Sequence, residues 1–329
     1  MTQATYNNHH IDTHAHLWST QYLDKLKALM LKETDKDGTS DARVDNVTND
    51  ISQLNARLAM MDKAGVQYQV LSATPQSPSW GSSEQATELA VMINNLYHEV
   101  ITKYPERFVA YGAVPLPHVE AAIAEAKRCI QELGFKGIAI NTLIKNQISL
   151  ADEKFLPFYQ ALDEMKAVVY IHPTGCGANS PMIKDFNLHW VVGAPIEDGL
   201  AGLQLLKAGI PQKFPNIRFH IAHLGGFLPF MMQRIEDNYS DWKAFEASPW
   251  HSFKQFWFDT ANFHAPALRC SCETFGAKQL MLGSDFPYFQ DDKYTRAVTY
   301  IQQAGLSESD QQAILSQNAR QLLNITTNQ

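Results

Sequence analysis

The densest group of chemically reactive side chains lies near the start of the chain, in the stretch HHIDTHAH at residues 9–16. His14 and His16 are separated by one residue, and alternate residues of a β-strand point to the same side. Their two imidazoles therefore share one face of the predicted strand, together with Asp12. Two imidazoles on one face can ligate a metal ion, but such a site needs further ligands from elsewhere in the chain.

Three more strand-like runs end in a side chain of the same kind. His172 ends VVYIH, His223 ends HIAH and Asp285 ends MLGSD. A lone histidine at such a position is more often a hydrogen-bonded core residue, but the repetition is not what core packing alone would select. The combined set suits Zn²⁺, with Mn²⁺ or another divalent ion as the alternative. His220 lies three positions before His223, so we expect it to face the other side of its strand and to serve packing.

These candidates sit within a regular alternation of β-rich and helical segments. Several of the β-rich runs are apolar on both faces, which is typical of buried parallel strands. The predicted strands are residues 9–15, 67–73, 108–114, 137–143, 167–172, 217–223, 256–262 and 279–285. The predicted helices are residues 49–64, 83–104, 118–133, 152–165, 197–208, 226–239, 265–276, 293–304 and 308–323, of which 265–276 has the weakest pattern.

Eight β/α units in a chain of 329 residues predict a closed (β/α)8 TIM barrel, an α/β fold. An open doubly wound sheet is the alternative, but the first strand ends in THAH and not in a glycine-rich phosphate-binding turn. The candidate site then lies at the carboxyl ends of the strands, where barrel enzymes carry their chemistry. Residues 17–48 are long, polar and charged, and we interpret them as a surface insertion over the barrel mouth. We expect residues 1–329 to form a single domain.

Composition excludes several other classes of protein. The formal net charge of −7 argues against nucleic acid as a partner, because phosphate binding requires a basic surface. No apolar run is long enough to span a membrane, and the first residues lack the pattern of a signal peptide. Four cysteines provide no disulfide framework, which favours the reducing cytoplasm. Cys270 and Cys272 form a C-x-C pair, but two ordinary thiols near a helix are the better interpretation.

With these residues assembled, the chain resembles the amidohydrolase superfamily. Within it the sequence is most similar to the decarboxylase branch typified by 2-amino-3-carboxymuconate-6-semialdehyde decarboxylase. The resemblance extends from IDTHAH to SDFP and so covers nearly the whole chain. Its most specific segments are residues 57–72, 104–116, 132–140, 172–175, 190–197, 222–235 and 282–287. The insertion at 17–48 departs from the typical decarboxylase, which leaves the substrate open.

The resemblance implies a role for each candidate. The implied metal ligands are His14, His16, His172 and Asp285. It implies that His223 is the acid/base beside the metal, with Asp285 as the alternative proton carrier. Arg57 matches an arginine that binds a substrate carboxylate, although a salt bridge would also explain it. Arg234 matches a second such arginine, which reaches the site from the neighbouring subunit of a homodimer. Trp190 matches an aromatic residue of the pocket.

Four functions remain open at this point. The resemblance favours a metal-dependent, non-oxidative decarboxylase of a small aromatic or unsaturated carboxylic acid, with no organic cofactor. A metal-dependent hydrolase, such as a lactonase, could use the same site, because one fold hosts both reactions. A hydratase is a third possibility. A metal-binding scaffold without activity is the least favoured, since the ligand set comes with an acid/base histidine.

Overall fold

The barrel is built from eight parallel strands whose order in the sheet follows their order in the chain. The structure, a computed structural model, describes residues 9–33, 53–242 and 248–325. The barrel strands are β1 (His10–His16), β2 (Val66–Ser72), β3 (Phe108–Ala113), β4 (Gly137–Asn141), β7 (Val168–His172), β8 (Arg218–Ile221), β9 (Phe256–Asp259) and β10 (Leu280–Met281). A small antiparallel hairpin, β5 (Leu143–Ile144) and β6 (Ile148–Ser149), follows β4.

Backbone hydrogen bonds between the first strand and the residues after the last one close the ring. Thr13 donates its backbone N–H to the carbonyl of Leu282 at 2.8 Å, and His16 donates to Phe286 at 2.7 Å. Asp285 in turn donates its N–H to the carbonyl of His14 at 2.9 Å. These bonds bring the segment SDFP directly against the histidines of β1.

Helices surround the barrel and connect its strands. The α-helices are α1 (Thr20–Glu33), α2 (Leu54–Lys63), α3 (Ser83–Lys103), α4 (Val119–Lys127), α5 (Leu156–Glu164), α6 (Pro181–Lys184), α7 (Ala194–Lys207), α8 (Ile210–Lys213), α9 (Leu228–Trp242), α10 (Pro249–Ser252), α11 (Ala265–Phe275), α12 (Asp292–Gln302), α13 (Glu308–Gln312) and α14 (Asn318–Leu323). In the described part of the chain, none of them combines the length and apolar character that crossing a membrane requires.

Two apolar cores hold the fold together. One fills the barrel with side chains such as Ile11, Val70 and Tyr170. The other, larger core lies between the outer faces of the strands and the helices, and includes Phe108, Ile138 and Phe219. Apolar side chains on both faces of the strands therefore have a place to be buried, as the sequence pattern requires.

The predicted (β/α)8 barrel is confirmed, and each predicted strand is present within a few residues of its expected position. The segment after β1 carries more structure than its polar composition suggests. Residues 20–33 form α1, which buries Tyr22, Leu23 and Leu26 against the outer core. Residues 34–52, which hold the rest of the predicted insertion and the start of the predicted helix 49–64, lie outside the described residues.

Candidate active site

The four predicted metal ligands meet at the carboxyl-terminal mouth of the barrel. One ligand atom from each of His14, His16, His172 and Asp285 lies within 4.8 Å of all the others. The Oδ1 atom of Asp285 is 3.3 Å from the Nε2 atoms of both His14 and His16. Ligands at about 2.1 Å from a tetrahedral metal ion stand about 3.4 Å apart, so these spacings suit such an ion.

Hydrogen bonds fix which nitrogen of each histidine faces the centre of this cluster. The Nδ1 atom of His14 lies 3.0 Å from Asp259, that of His16 lies 3.0 Å from the hydroxyl of Ser72, and that of His172 lies 2.8 Å from the carbonyl of Pro173. In the neutral ring the proton therefore lies on Nδ1, and Nε2 is the nitrogen that can bind a metal.

The innermost ligand atoms lack other partners. The Nε2 atoms of His14 and His172 are buried, and neither has a hydrogen bond in the described part of the chain. Buried polar atoms are almost always satisfied, so two buried nitrogens that lack a hydrogen bond and face the same centre are what a cation-binding site would present. The donor set of three imidazoles and one carboxylate thus fits a divalent metal ion.

The surroundings of the three imidazoles shift their pKa values in opposite directions. Burial alone would lower the pKa of His14, but the carboxylates of Asp259 and Asp285 outweigh it and raise the pKa to about 9. Burial lowers the pKa of His16 to about 4 and that of His172 well below its usual value. His14 therefore carries the proton that a metal ion must displace.

His223 stands beside the cluster. Its Nδ1 atom lies 2.9 Å from the Oδ2 atom of Asp198, and its Nε2 atom lies 3.7 Å from the Oδ2 atom of Asp285. Burial would lower the pKa of His223, but the charges of Asp198 and Asp285 raise it well above its usual value. Asp198 and Asp285 together therefore favour the protonated form of the His223 imidazole beside the cluster.

The backbone at this rim departs from ordinary conformations. His223 has φ +52° and Asp285 has φ +57°, both in the left-handed region that non-glycine residues rarely adopt. Such strain amounts to about 1–3 kcal/mol for each residue and concentrates at functional sites.

The turn after β8 also explains why His220 is not where the sequence predicts. His220 is inside the strand and points into the barrel, where it contacts Asp259 at 3.3 Å and Tyr111 at 3.2 Å. His223 lies beyond the strand end, so strand alternation does not relate the two.

A cavity of about 330 Å³ opens in front of the cluster. His172, His223 and Asp285 form its reactive wall, and aromatic side chains form much of the rest. The aromatic residues that line it are Trp190, Phe263, Tyr288 and Phe289. Trp190 and Tyr288 stack at 6.3 Å between ring centroids, which supports the prediction that Trp190 belongs to the pocket region. The cavity is large enough for one small planar molecule.

The structure does not bring Arg57 to this cavity. Its side chain is fully buried, donates to Gln69 at 2.7 Å and to the carbonyl of His16 at 2.6 Å, and lies over the ring of Phe286 at 4.3 Å. The guanidinium thus binds the backbone of β1 at the candidate metal ligand His16. This placement favours a structural role over the predicted binding of a substrate carboxylate. Arg234 lies exposed on α9 and does not line the cavity of its own chain.

Two buried carboxylates that the sequence analysis missed organise the site. Asp259 ends β9, just as Asp285 follows β10, so the run FWFD carries the same signal as MLGSD. Asp198 lies on α7, one residue after the segment WVVGAPIE, and no strand pattern points to it. Cys270 and Cys272 lie on α11, and neither belongs to the metal-ligand cluster.

Comparison with known proteins places this geometry in a family. The amidohydrolase family model matches residues 11–325. The chain belongs to the amidohydrolase family. Among named relatives, 2-amino-3-carboxymuconate-6-semialdehyde decarboxylase of Dictyostelium discoideum is 30% identical over 240 residues, which is 71% of this chain and 66% of the relative, just under two thirds of its length. Gamma-resorcylate decarboxylase of a Polaromonas species is 26% identical, over 82% of this chain and 86% of the relative.

Other relatives extend the comparison. A 2-keto-4-carboxy-3-hexenedioate hydratase of a Sphingobium species is 26% identical, over 81% of each chain. A solved structure of dihydroxybenzoic acid decarboxylase from a Polaromonas species, with bound manganese and the inhibitor 2-nitroresorcinol, matches with a TM-score of 0.81 at 24% identity. That match covers 96% of this chain and 97% of the other, and it supports the barrel fold.

Proposed function

We propose that this protein is a metal-dependent, non-oxidative decarboxylase of a small aromatic or unsaturated carboxylic acid. The observation that carries the proposal is the convergence of three Nε2 atoms and the Asp285 carboxylate on one point, with His223 beside it and an aromatic cavity in front. The decarboxylase relatives, which are 26–30% identical, support the choice of reaction.

His14, His16, His172 and Asp285 would hold the metal. We propose Zn²⁺ on the basis of the nitrogen-rich ligand set, with Mn²⁺ as the alternative that the manganese-bound relative supports. When bound, the divalent ion supplies positive charge that anchors and polarises oxygen atoms of the substrate.

The chain's own residues then carry the proton chemistry. His223 donates the proton on Nε2 to the substrate carbon that bears the carboxylate. The bond from that carbon to the carboxylate then breaks, its electron pair returns to the unsaturated system, and CO₂ leaves. The products are the protonated organic molecule and CO₂, so no redox cofactor is needed. Trp190, Tyr288 and Phe263 hold the planar substrate and keep water away from the reacting carbon.

The test is decarboxylation in D₂O by protein loaded with Zn²⁺ or Mn²⁺, with a panel of ortho-hydroxybenzoates and unsaturated dicarboxylates. The expected result is metal-dependent CO₂ release, with one deuterium at the carbon that carried the carboxylate. His223→Asn should retain the metal, as metal analysis would show, and should lose activity by about 10²–10⁴-fold. If all panel members stay intact while lactones are hydrolysed, the protein is a hydrolase.

A hydratase is the second candidate, because one relative of similar identity carries that name. The same site could add water across a carbon–carbon double bond, with His223 moving the proton. Incubation with an unsaturated oxo-acid would separate the two reactions, since hydration retains all carbon atoms and decarboxylation releases one as CO₂.

We further propose that the protein acts as a homodimer in the cytoplasm and that the chain forms one domain. Several large apolar side chains are exposed: Phe186 is 74% exposed, Val191, next to Trp190 in the sequence, is 75% exposed, and Phe230 on α9 is 84% exposed. Such exposure is typical of an interface between subunits. Phe230 lies one helical turn before Arg234, so α9 is the helix that would carry Arg234 to the neighbouring site. The four cysteines are free thiols, which fits a reducing compartment.

A further inference from the structure

Two adjacent carboxylates on α7 are both buried, yet their surroundings differ. Glu197 accepts hydrogen bonds from Thr142, Gly177 and both the backbone and the hydroxyl of Thr174, at 2.7–2.8 Å. It is fully satisfied and ties the loop after β7 to the helix. Asp198, the next residue, is 0% exposed and accepts no hydrogen bond from this loop among the described residues.

The described contacts of the Asp198 side chain reduce to one hydrogen bond. Its Oδ2 atom lies 2.9 Å from the Nδ1 atom of His223, and its Oδ1 atom is buried without a partner. A buried carboxylate with one oxygen unsatisfied is unfavourable, and packing alone would select an apolar side chain there. The hydrogen bond to His223 accounts for a carboxylate at position 198.

We propose that Asp198 is a positioning residue for His223, which fixes the ring so that Nδ1 carries a proton and Nε2 faces the reacting carbon. This inference rests on the proposed role of His223 as the acid/base. The hydrogen bond at Nδ1 selects one orientation and one tautomer of the ring, as a carboxylate does in a catalytic triad.

Asp285 cannot take over this function. Its oxygens lie on the other side of the ring, 3.7 Å from Nε2, and its Oδ1 atom is already shared between His14 and His16. The backbone of His223 is held separately, because its N–H donates to Asp259 at 3.1 Å. Asp198 therefore controls the ring while Asp259 controls the backbone, and removal of Asp198 should leave the metal ligands in place.

The experiment compares wild-type protein with Asp198→Asn, His223→Asn and the double variant, each loaded with Zn²⁺ and checked for metal content. For Asp198→Asn we expect kcat to fall by about 10²-fold or more, with KM changed less than about threefold. In the His223→Asn background the same substitution should have no further effect on kcat. Equal losses in both backgrounds would show that Asp198 does not act through His223 and would overturn the inference.

A second readout does not depend on the reaction. In protein with ¹⁵N-labelled histidine, the ring resonances that disappear in His223→Asn belong to His223. In the wild type they should report a protonated Nδ1, and in Asp198→Asn they should shift toward the other tautomer or a mixture. Unchanged ring resonances in a folded Asp198→Asn protein would overturn the inference.

Absence of decarboxylation with the expected tautomer change would contradict the proposed reaction and leave the positioning role standing. If Asp198→Asn does not fold, Asp198→Glu serves in its place, and it must keep the Nδ1-protonated ring.

Discussion

Asp259 lies 3.0 Å from the Nδ1 atom of His14, and both side chains are completely buried. The same carboxylate accepts the backbone N–H of His223 through its other oxygen, at 3.1 Å. One carboxylate thus positions a proposed metal ligand and the proposed acid/base at once. Partners of this kind orient a ligand and raise its basicity, which is why they matter nearly as much as the ligands.

The first prediction concerns this carboxylate. Asp259→Asn should weaken metal binding by about 10–100-fold, because His14 loses its charged hydrogen-bond partner. Isothermal titration of the metal-free variants with Zn²⁺ measures the change. Ser72→Ala, which removes the neutral partner of His16, is the matched control and should have a smaller effect. Equal affinities of wild type and Asp259→Asn would contradict the role of Asp259.

The second prediction concerns the pH dependence of metal binding. In the metal-free protein the pKa of His14 is raised to about 9, so at neutral pH its imidazole is protonated. Metal binding must displace this proton, and affinity should therefore rise with pH below about 9, by up to about tenfold for each pH unit. Titrations in buffers of different ionisation enthalpy would reveal the released proton. Affinity that is independent of pH would show that His14 is neutral before the metal arrives.

The third prediction separates the two roles of Arg57. If the guanidinium holds β1 in place, Arg57→Met should lower the free energy of unfolding by roughly 2–4 kcal/mol, since it leaves the His16 carbonyl and Gln69 unpaired in the core. The KM of the folded enzyme should stay within about threefold of the wild type. Denaturant unfolding and steady-state kinetics measure the two quantities. A large rise in KM with unchanged stability would instead support the binding of a substrate carboxylate.

The fourth prediction concerns the aromatic wall. A Cβ atom at Gly175 would lie 2.4 Å from the Trp190 ring, so Gly175→Ala must shift the indole that lines the cavity. We expect KM for a ring substrate to rise about tenfold, which corresponds to about 1.4 kcal/mol of lost binding. Gly134→Ala is the matched control, because Gly134 has a similar φ of +70° but open space around it. The control should lower stability slightly and leave KM unchanged. An equal rise in KM in both variants would contradict a role of the aromatic wall in substrate binding.

The four candidate metal ligands lie together as the sequence predicts, because their positions depend on local rules. His14 and His16 follow from the two-residue period of β1, and His172 follows from its place at the end of β7. The rule fails where the chain leaves the strand. His223 lies beyond the end of β8 with φ +52°, so strand alternation does not relate it to His220. His220 therefore points into the barrel and not to the other face that alternation predicts. Asp198 could not be found in this way, because its role depends on how α7 packs against the barrel. Arg57 matches a substrate-binding arginine by its sequence position, but its burial and its hydrogen bonds to Gln69 and to the His16 carbonyl depend on packing that the sequence does not show.

The last prediction tests whether two subunits share a site. If Arg234 of one subunit serves the cavity of its partner, Arg234→Ala and His223→Asn should each be nearly inactive alone. Mixed dimers of the two variants should recover activity, because one of their two sites then has both residues intact. Co-expression with two different tags, followed by purification of the mixed species, measures this, and the expected recovery is about half of the wild-type activity per dimer. If Arg234 acts within its own chain, one subunit of the mixed dimer lacks His223 and the other lacks Arg234, so no activity returns. Retention of full activity by Arg234→Ala alone would remove the residue from the site altogether.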